Sequence, residues 1–269
     1  MIACKFLTGA SITACLILLP GFVSADDAKA RGIMEKVDAR DDGDKRISSM
    51  KMILIDKRGK QRVRSTISYG RDQGEDTQSI IFFKSPADVE GTGFLTYDYD
   101  DESKDDDQWL YLPALKKTKR IAASDKSGSF MGSDFNYSDM TKRNLSEYDF
   151  TFKKEMEVNG DKVWVIESMP RSQKTIDETG YQKSLSFVRQ DNYVVIRGIS
   201  WEKDGGKLKY FDIQKLEKID GIWTPLEMSM TTKQGKQTLH KTILQFEDVK
   251  YNQAMDESMF TTRRLEKGL

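Results

Sequence analysis

The sequence predicts a mainly β protein, an antiparallel meander, and three observations predict it. Turn signals recur at Lys57-Arg58-Gly59-Lys60, Asn159-Gly160, Asp204-Gly205-Gly206, Asp220-Gly221 and Gln234-Gly235, each between runs of alternating or β-branched residues. Glycine after a polar residue supplies the positive φ that tight hairpins need. No strand is followed by a helix long enough to cross back to a parallel neighbour. One long irregular stretch, from Ser85 to about Asn144, interrupts the hairpins, and such an insertion is usually functional.

The elements follow in order. Lys5 gives a short positive start, Phe6 to Val23 is mostly apolar, and Val23-Ser24-Ala25 offers the small residues a signal peptidase reads. Residues 1–25 therefore read as a signal peptide, and cleavage after Ala25 leaves 244 of the 269 residues. Glycine and proline interrupt the apolar run and acids follow it, which disfavours an uncleaved anchor. Cys4 and Cys15 both fall in this leader, so the mature chain has no disulfide, thiol nucleophile or cysteine metal site. Cys15 is not a lipidation site, because Leu16 to Leu19 continue the apolar run beyond it. A soluble periplasmic protein is expected.

Next comes a short amphipathic helix with Ile33, Met34 and Val37 on one side. The strands that follow carry Val163 and Val165, Leu185 and Phe187, Tyr193 and Val195, and Leu244 and Phe246 on single faces. That alternation leaves one sheet face wet and the other covered or lining a hollow. The length suits one β domain, residues 26–269, with a lid or insertion at about 85–144. Removing Lys5 leaves 42 basic against 43 acidic residues, a balance that excludes nucleic acid as a partner.

Within the insertion, PADVEGTGFLTYDYDDESKDDDQW, WLYLPALKKTKRI and SFMGSDFNYSD resemble the corresponding block of the LolA-like family of outer membrane lipoprotein-sorting proteins. The specific resemblance spans roughly residues 85 to 140. It implies a curved, unclosed antiparallel β-barrel, a LolA/LolB-like half-barrel with a few short helices as lid, whose hollow takes acyl chains. It also implies cargo loaded at the inner membrane and handed to an outer-membrane acceptor. Proteins with this block are associated with transporters of the resistance-nodulation-division (RND) type, which makes a free lipid as apt a cargo as a lipoprotein. No residue matches a cargo-gripping arginine, so the cargo class stays open.

Catalysis is tested by inventory. His240 is the one histidine, it shares strand parity with Thr242, Leu244 and Phe246, and no G-x-S-x-G elbow accompanies it. A structural or surface histidine and a non-enzyme are expected. The acidic run Asp98, Asp100, Asp101, Glu102 and Asp105 to Asp107 lacks the glycine and terminal glutamate of a calcium loop, and Arg40 spoils Asp38 to Asp44. Both read as solvated acids, with no metal or cofactor.

Lys116, Lys117, Lys119 and Arg120 have two readings: the exposed continuation of a strand from Trp109 to Leu115, or a contact for lipid headgroups or an acidic partner. Phe130, Met131, Phe135 and Tyr137 stand among Gly128, Gly132, Ser129 and Ser133, where glycines permit a loop that moves, so a mobile lid is expected over a static plug. Parity and residue type nominate Phe82, Phe94, Trp109, Tyr111, Phe130, Met131, Phe135, Trp201 and Trp223 as cavity or lid residues. Burying a sixteen-carbon chain, at about 0.8 kcal/mol per methylene, yields on the order of 13 kcal/mol before the costs of binding. Release is then the hard step, and flexible Met131, Met228 and Met230 suit a pocket that refills itself. The competing reading is an accessory subunit that docks on an exporter and carries nothing; it predicts a filled, dry core.

Overall fold

The computed structural model describes residues 26–269. The expected leader and both cysteines lie outside the described residues.

Helix α1 (Ala28–Asp38) comes first, then thirteen strands: β1 (Lys45–Asp56), β2 (Gln61–Gln73), β3 (Asp76–Ser85), β4 (Gly93–Asp98), β5 (Asp107–Leu112), β6 (Lys117–Arg120), β7 (Tyr148–Val158), β8 (Asp161–Pro170), β9 (Tyr181–Arg189), β10 (Val195–Glu202), β11 (Leu208–Ile219), β12 (Ile222–Gln234) and β13 (Gln237–Tyr251). Helix α2 (Gln173–Thr179) links β8 to β9, and α3 (Thr262–Lys267) ends the chain. The strands form one antiparallel sheet in the order β6-β5-β4-β3-β2-β1-β13-β12-β11-β10-β9-β8-β7. β13 pairs with β1 to join two meanders, and β6 and β7 remain as edges, so the barrel is unclosed. All five expected hairpin turns join sequential strands, with Asn159 and Gly160 both at positive φ.

The insertion is more regular than its composition suggests. β4, β5 and β6 lie inside it, joined by the links 86–92 and 99–106, and the longest irregular run is 121–147, which holds short 3-10 turns. Nor does the strand through Trp109 run on into the lysines. It ends at Leu112, Pro113 to Leu115 make a 3-10 turn, and Lys116 at φ 48° reverses the chain into β6.

Cross-strand register separates the two faces. Ile166, Ser186, Gly198, Phe211 and Met230 lie opposite one another across β8 to β12, so everything packed on this row shares one face, the inner one. Helix α1 sits there. The Asp27 side chain caps its first turn by accepting from the Lys29 and Ala30 amides. Asp26 and Asp27 also bond the Phe150 backbone, which fixes the helix so that Ala30, Ile33 and Met34 pack on Tyr148, Phe150, Ile166 and Val188.

The outer face of β2 to β5 is covered by the C-terminal segment, where Met259, Phe260 and Leu265 pack on Ile80, Phe82 and Leu95. A Cβ at Gly93 would stand 2.6 Å from Leu265 Cδ1, so glycine is what lets α3 lie this close to β4.

Candidate functional site

Beyond β6, residues 121–140 fold back across the inner face as a plug. Phe130 (1 % exposed) fills its centre among Met52, Leu54, Phe83, Phe94, Met230 and Leu244. Its ring centroid lies 5.0 Å from that of Phe94 and 5.6 Å from that of Tyr137, which meets it edge-on. Met131 at φ 50° and Gly132 at φ 72° make the tight reversal that turns Phe130 inward and brings Phe130 N within 2.7 Å of Phe135 O.

Polar tethers from β2, β5, β9, β11, β12 and β13 hold the plug to the wall. Asp134, 4 % exposed, accepts from Thr232 Oγ1 (2.5 Å), His240 Nδ1 (2.6 Å) and Thr242 Oγ1 (2.7 Å), and its amide donates to Thr242 Oγ1 (2.9 Å). Lys209 Nζ donates to Asn136 Oδ1 at 2.6 Å, and Tyr181 OH to Asp139 at 2.9 Å. Gln108 Nε2 donates to Tyr137 O at 2.9 Å, and the Arg64 guanidinium to Met131 O. Burial, first among the causes, raises the pKa of Asp139 and Tyr181 and lowers that of Lys209. His240 thus takes part in fastening the plug. Nearby, Ser129 Oγ donates to Ser133 O, and Ser133 Oγ accepts from the Phe135 amide.

Beside the plug lies a cavity of about 590 Å³. Phe135, Phe211, Met228 and Met230 form an apolar floor, and Asp38, Asp98, Asp100, Glu102, Asp105, Asp106, Glu147 and Glu178 dominate the rim, with Lys104, Lys126, Lys142 and Arg143 among them. The acidic run is therefore a hairpin tip, as expected, but one that overhangs an opening. No cluster suited to a metal occurs among the described residues. A second opening, about 410 Å³, flanks the plug near Ser127, Lys203, Lys207, Lys209 and His240.

Burial pushes the Asp98 carboxyl up to about 6, against the Lys142 amide it accepts from at 2.6 Å. An acid whose folded pKa is raised destabilises the fold as pH rises from the unfolded value of 3.8 through about 6. Asp98→Asn keeps an oxygen for Lys142 and removes that titration. The variant is expected to match the parent near pH 4 and to exceed it by about 2 kcal/mol at pH 7.5. Thermal unfolding across that range checks this; parallel curves would refute it.

The nine residues nominated from sequence divide. Phe94, Phe130, Met131 and Phe135 join the inner-face cluster. Phe82, Trp109 and Tyr111 lie on the opposite face beneath the C-terminal segment, because Phe83, Gln108 and Leu110 take the inward positions of their strands. Trp223 packs with Val163, Val165 and Phe187, and Trp201 lies under the Lys183 ammonium. Of the basic run, Arg120 pairs with Asp107 and Lys119 with Asp125, while Lys116 and Lys117 are exposed. The run forms an edge strand, where charge also deters pairing with other chains. Asp134, Thr232, Thr242, Lys209 and Lys126 were missed. Only Thr242, in step with His240, carried a signal.

A family model described as "Uncharacterized protein" matches residues 75–267. The structure of an outer membrane lipoprotein-sorting protein domain from Vibrio parahaemolyticus is 31% identical, with a TM-score of 0.79 over 88% of this chain and 98% of that one. The chain belongs to the LolA-like family. A DUF1329 family protein from Desulfovibrio piger is 28% identical, covering 90% of this chain and 99% of its own, with a TM-score of 0.81. A LolA superfamily protein from Nitrosomonas europaea, 18% identical over 86% of this chain and 97% of that one, shares the fold at a TM-score of 0.64. No curated protein matches the sequence.

Proposed function

We propose that this LolA-like chain is a periplasmic carrier. Its inner face holds the acyl chains of a lipoprotein or lipid, taken from an inner-membrane transporter of RND type and delivered to an outer-membrane acceptor. The observation that carries the reading is the plug. A segment without regular structure occupies the apolar inner face, its aromatic residues stand where chains would lie, and side-chain hydrogen bonds tether it. Such bonds contribute only about 0.5–3 kcal/mol each because water replaces them on release, so a buried acyl chain has the energy to displace the segment. A cavity of about 590 Å³ beside it lies in the size range of lipid and drug sites, and the relative's lipoprotein-sorting description supports the cargo class.

The first test is native mass spectrometry with lipid extraction on protein from its own periplasm. Co-purifying acyl mass is expected; an empty protein that also refuses added dioleoyl lipids would overturn the carrier. The docking reading has one observation in its favour, since the inner face is already filled. On that reading Lys116, Lys117, Lys119 and Arg120 contact the partner and the plug stays put.

A further inference from the structure

Lys126 is 8 % exposed and lines the cavity, yet among the described residues its ammonium makes no ion pair and no hydrogen bond. A lysine this buried usually has a partner; the Lys126 ammonium is not among the fully buried polar atoms and faces the cavity instead. The neighbouring lysines are matched: Lys119 to Asp125, and Lys209 to Asn136 and Glu202. Close by, Gln108 and Thr96 face each other across β5 and β4. Both are almost wholly buried, and Gln108 Oε1 and Thr96 Oγ1 have no partner. Gln108 already holds plug residue Tyr137, and Ser138, the next residue, donates its amide to Lys126 O, so these unmet groups border the plug together. Two residues outward from Thr96 on the same face stands Asp98, where the carboxylate rim begins.

We propose that the cavity seats a zwitterionic lipid head group, with its phosphate inward against Lys126 and its amine outward among Asp98, Asp100 and Asp106. The acyl chains then follow the apolar floor. The phosphate supplies the anion that Lys126 lacks, and charge-assisted hydrogen bonds of this kind are the strong ones. The amine offsets a rim that repels a purely anionic lipid. This deepens the carrier reading and rests on it.

The test loads the mature protein from vesicles carrying dioleoylphosphatidylethanolamine, dioleoylphosphatidylglycerol or dioleoylglycerol, which share chains and differ in head. Uptake of the ethanolamine lipid is expected to exceed that of dioleoylglycerol by about tenfold, the measure of one charge-assisted hydrogen bond. Lys126→Met is expected to abolish that ratio, and Lys126→Arg to preserve it. Phosphatidylglycerol should load poorly at low salt and recover at high salt, as rim repulsion is screened. Equal uptake of ethanolamine lipid and dioleoylglycerol by the parent, or an equal loss of both in Lys126→Met, overturns the head-group site alone. Salt-independent uptake of phosphatidylglycerol equal to that of the ethanolamine lipid removes the amine subsite. Glycerophosphoethanolamine, the deacylated head, binding as tightly as the lipid would make this a site for a free phosphate ester and overturn the proposal. Failure of all three lipids to load overturns the carrier reading itself.

Discussion

Asp134→Ala is expected to lower the melting temperature by on the order of 10 °C and to speed lipid uptake at the same time. The stability effect follows from what the carboxylate leaves behind. Thr232 Oγ1, His240 Nδ1 and Thr242 Oγ1 all point at it, and the Thr242 side chain is wholly buried. Breaking such a network while its partners stay buried costs about 3–5 kcal/mol, and in a domain of this size each kcal/mol shifts the midpoint by about 2–4 °C. The uptake effect follows because the same bonds fasten the plug. Differential scanning calorimetry and a vesicle uptake assay measure the two. An unchanged midpoint would show that the tether is idle. A lowered midpoint with uptake unchanged would make the plug a fixed part of the core.

Tying the plug down should do the reverse. With cysteines placed by Asp134→Cys and Thr242→Cys, a disulfide is expected to hold the plug on β13, and oxidised protein should load less than about a tenth of the lipid that reduced protein does. The Thr242 side chain reaches the Asp134 residue, its Oγ1 lying 2.9 Å from the Asp134 amide, and a disulfide needs the two side chains to meet in this way. Both native cysteines belong to the expected leader, so the engineered bridge has no competitor in the mature chain. Reduction should restore loading, which controls for damage by the substitutions. If oxidised and reduced protein load alike, the plug is no gate, and the docking reading gains.

Much of the architecture was legible because hairpins are local. A turn such as Asn159-Gly160 specifies its own φ angles, so its neighbours in sequence become neighbours in space. The inner stripe of α1 was legible for the same reason. The insertion was not, since β4 to β6 are only four to six residues long and Tyr97, Trp109 and Gln108 give conflicting parity. Phe82 and Phe83 show the limit plainly: two adjacent phenylalanines must face opposite sides, and nothing local says which is inside. Likewise Trp109 and Tyr111 face outward because the C-terminal segment supplies an apolar cover there, while Gln108 turns inward because Tyr137 O awaits it.

The sequence by itself determined the antiparallel meander, the amphipathic helix and the likeness to LolA-like proteins, since each depends on residues a few positions apart. Only the tertiary structure decided which face is the hollow, that residues 121–140 fill it, and that the lone histidine belongs to the plug's fastening. His240 and Asp134 are 106 residues apart. A carboxylate that is ordinary along the chain becomes a latch only when two strands carry three donors to it, and a lysine goes without a partner only when the fold turns it into a cavity.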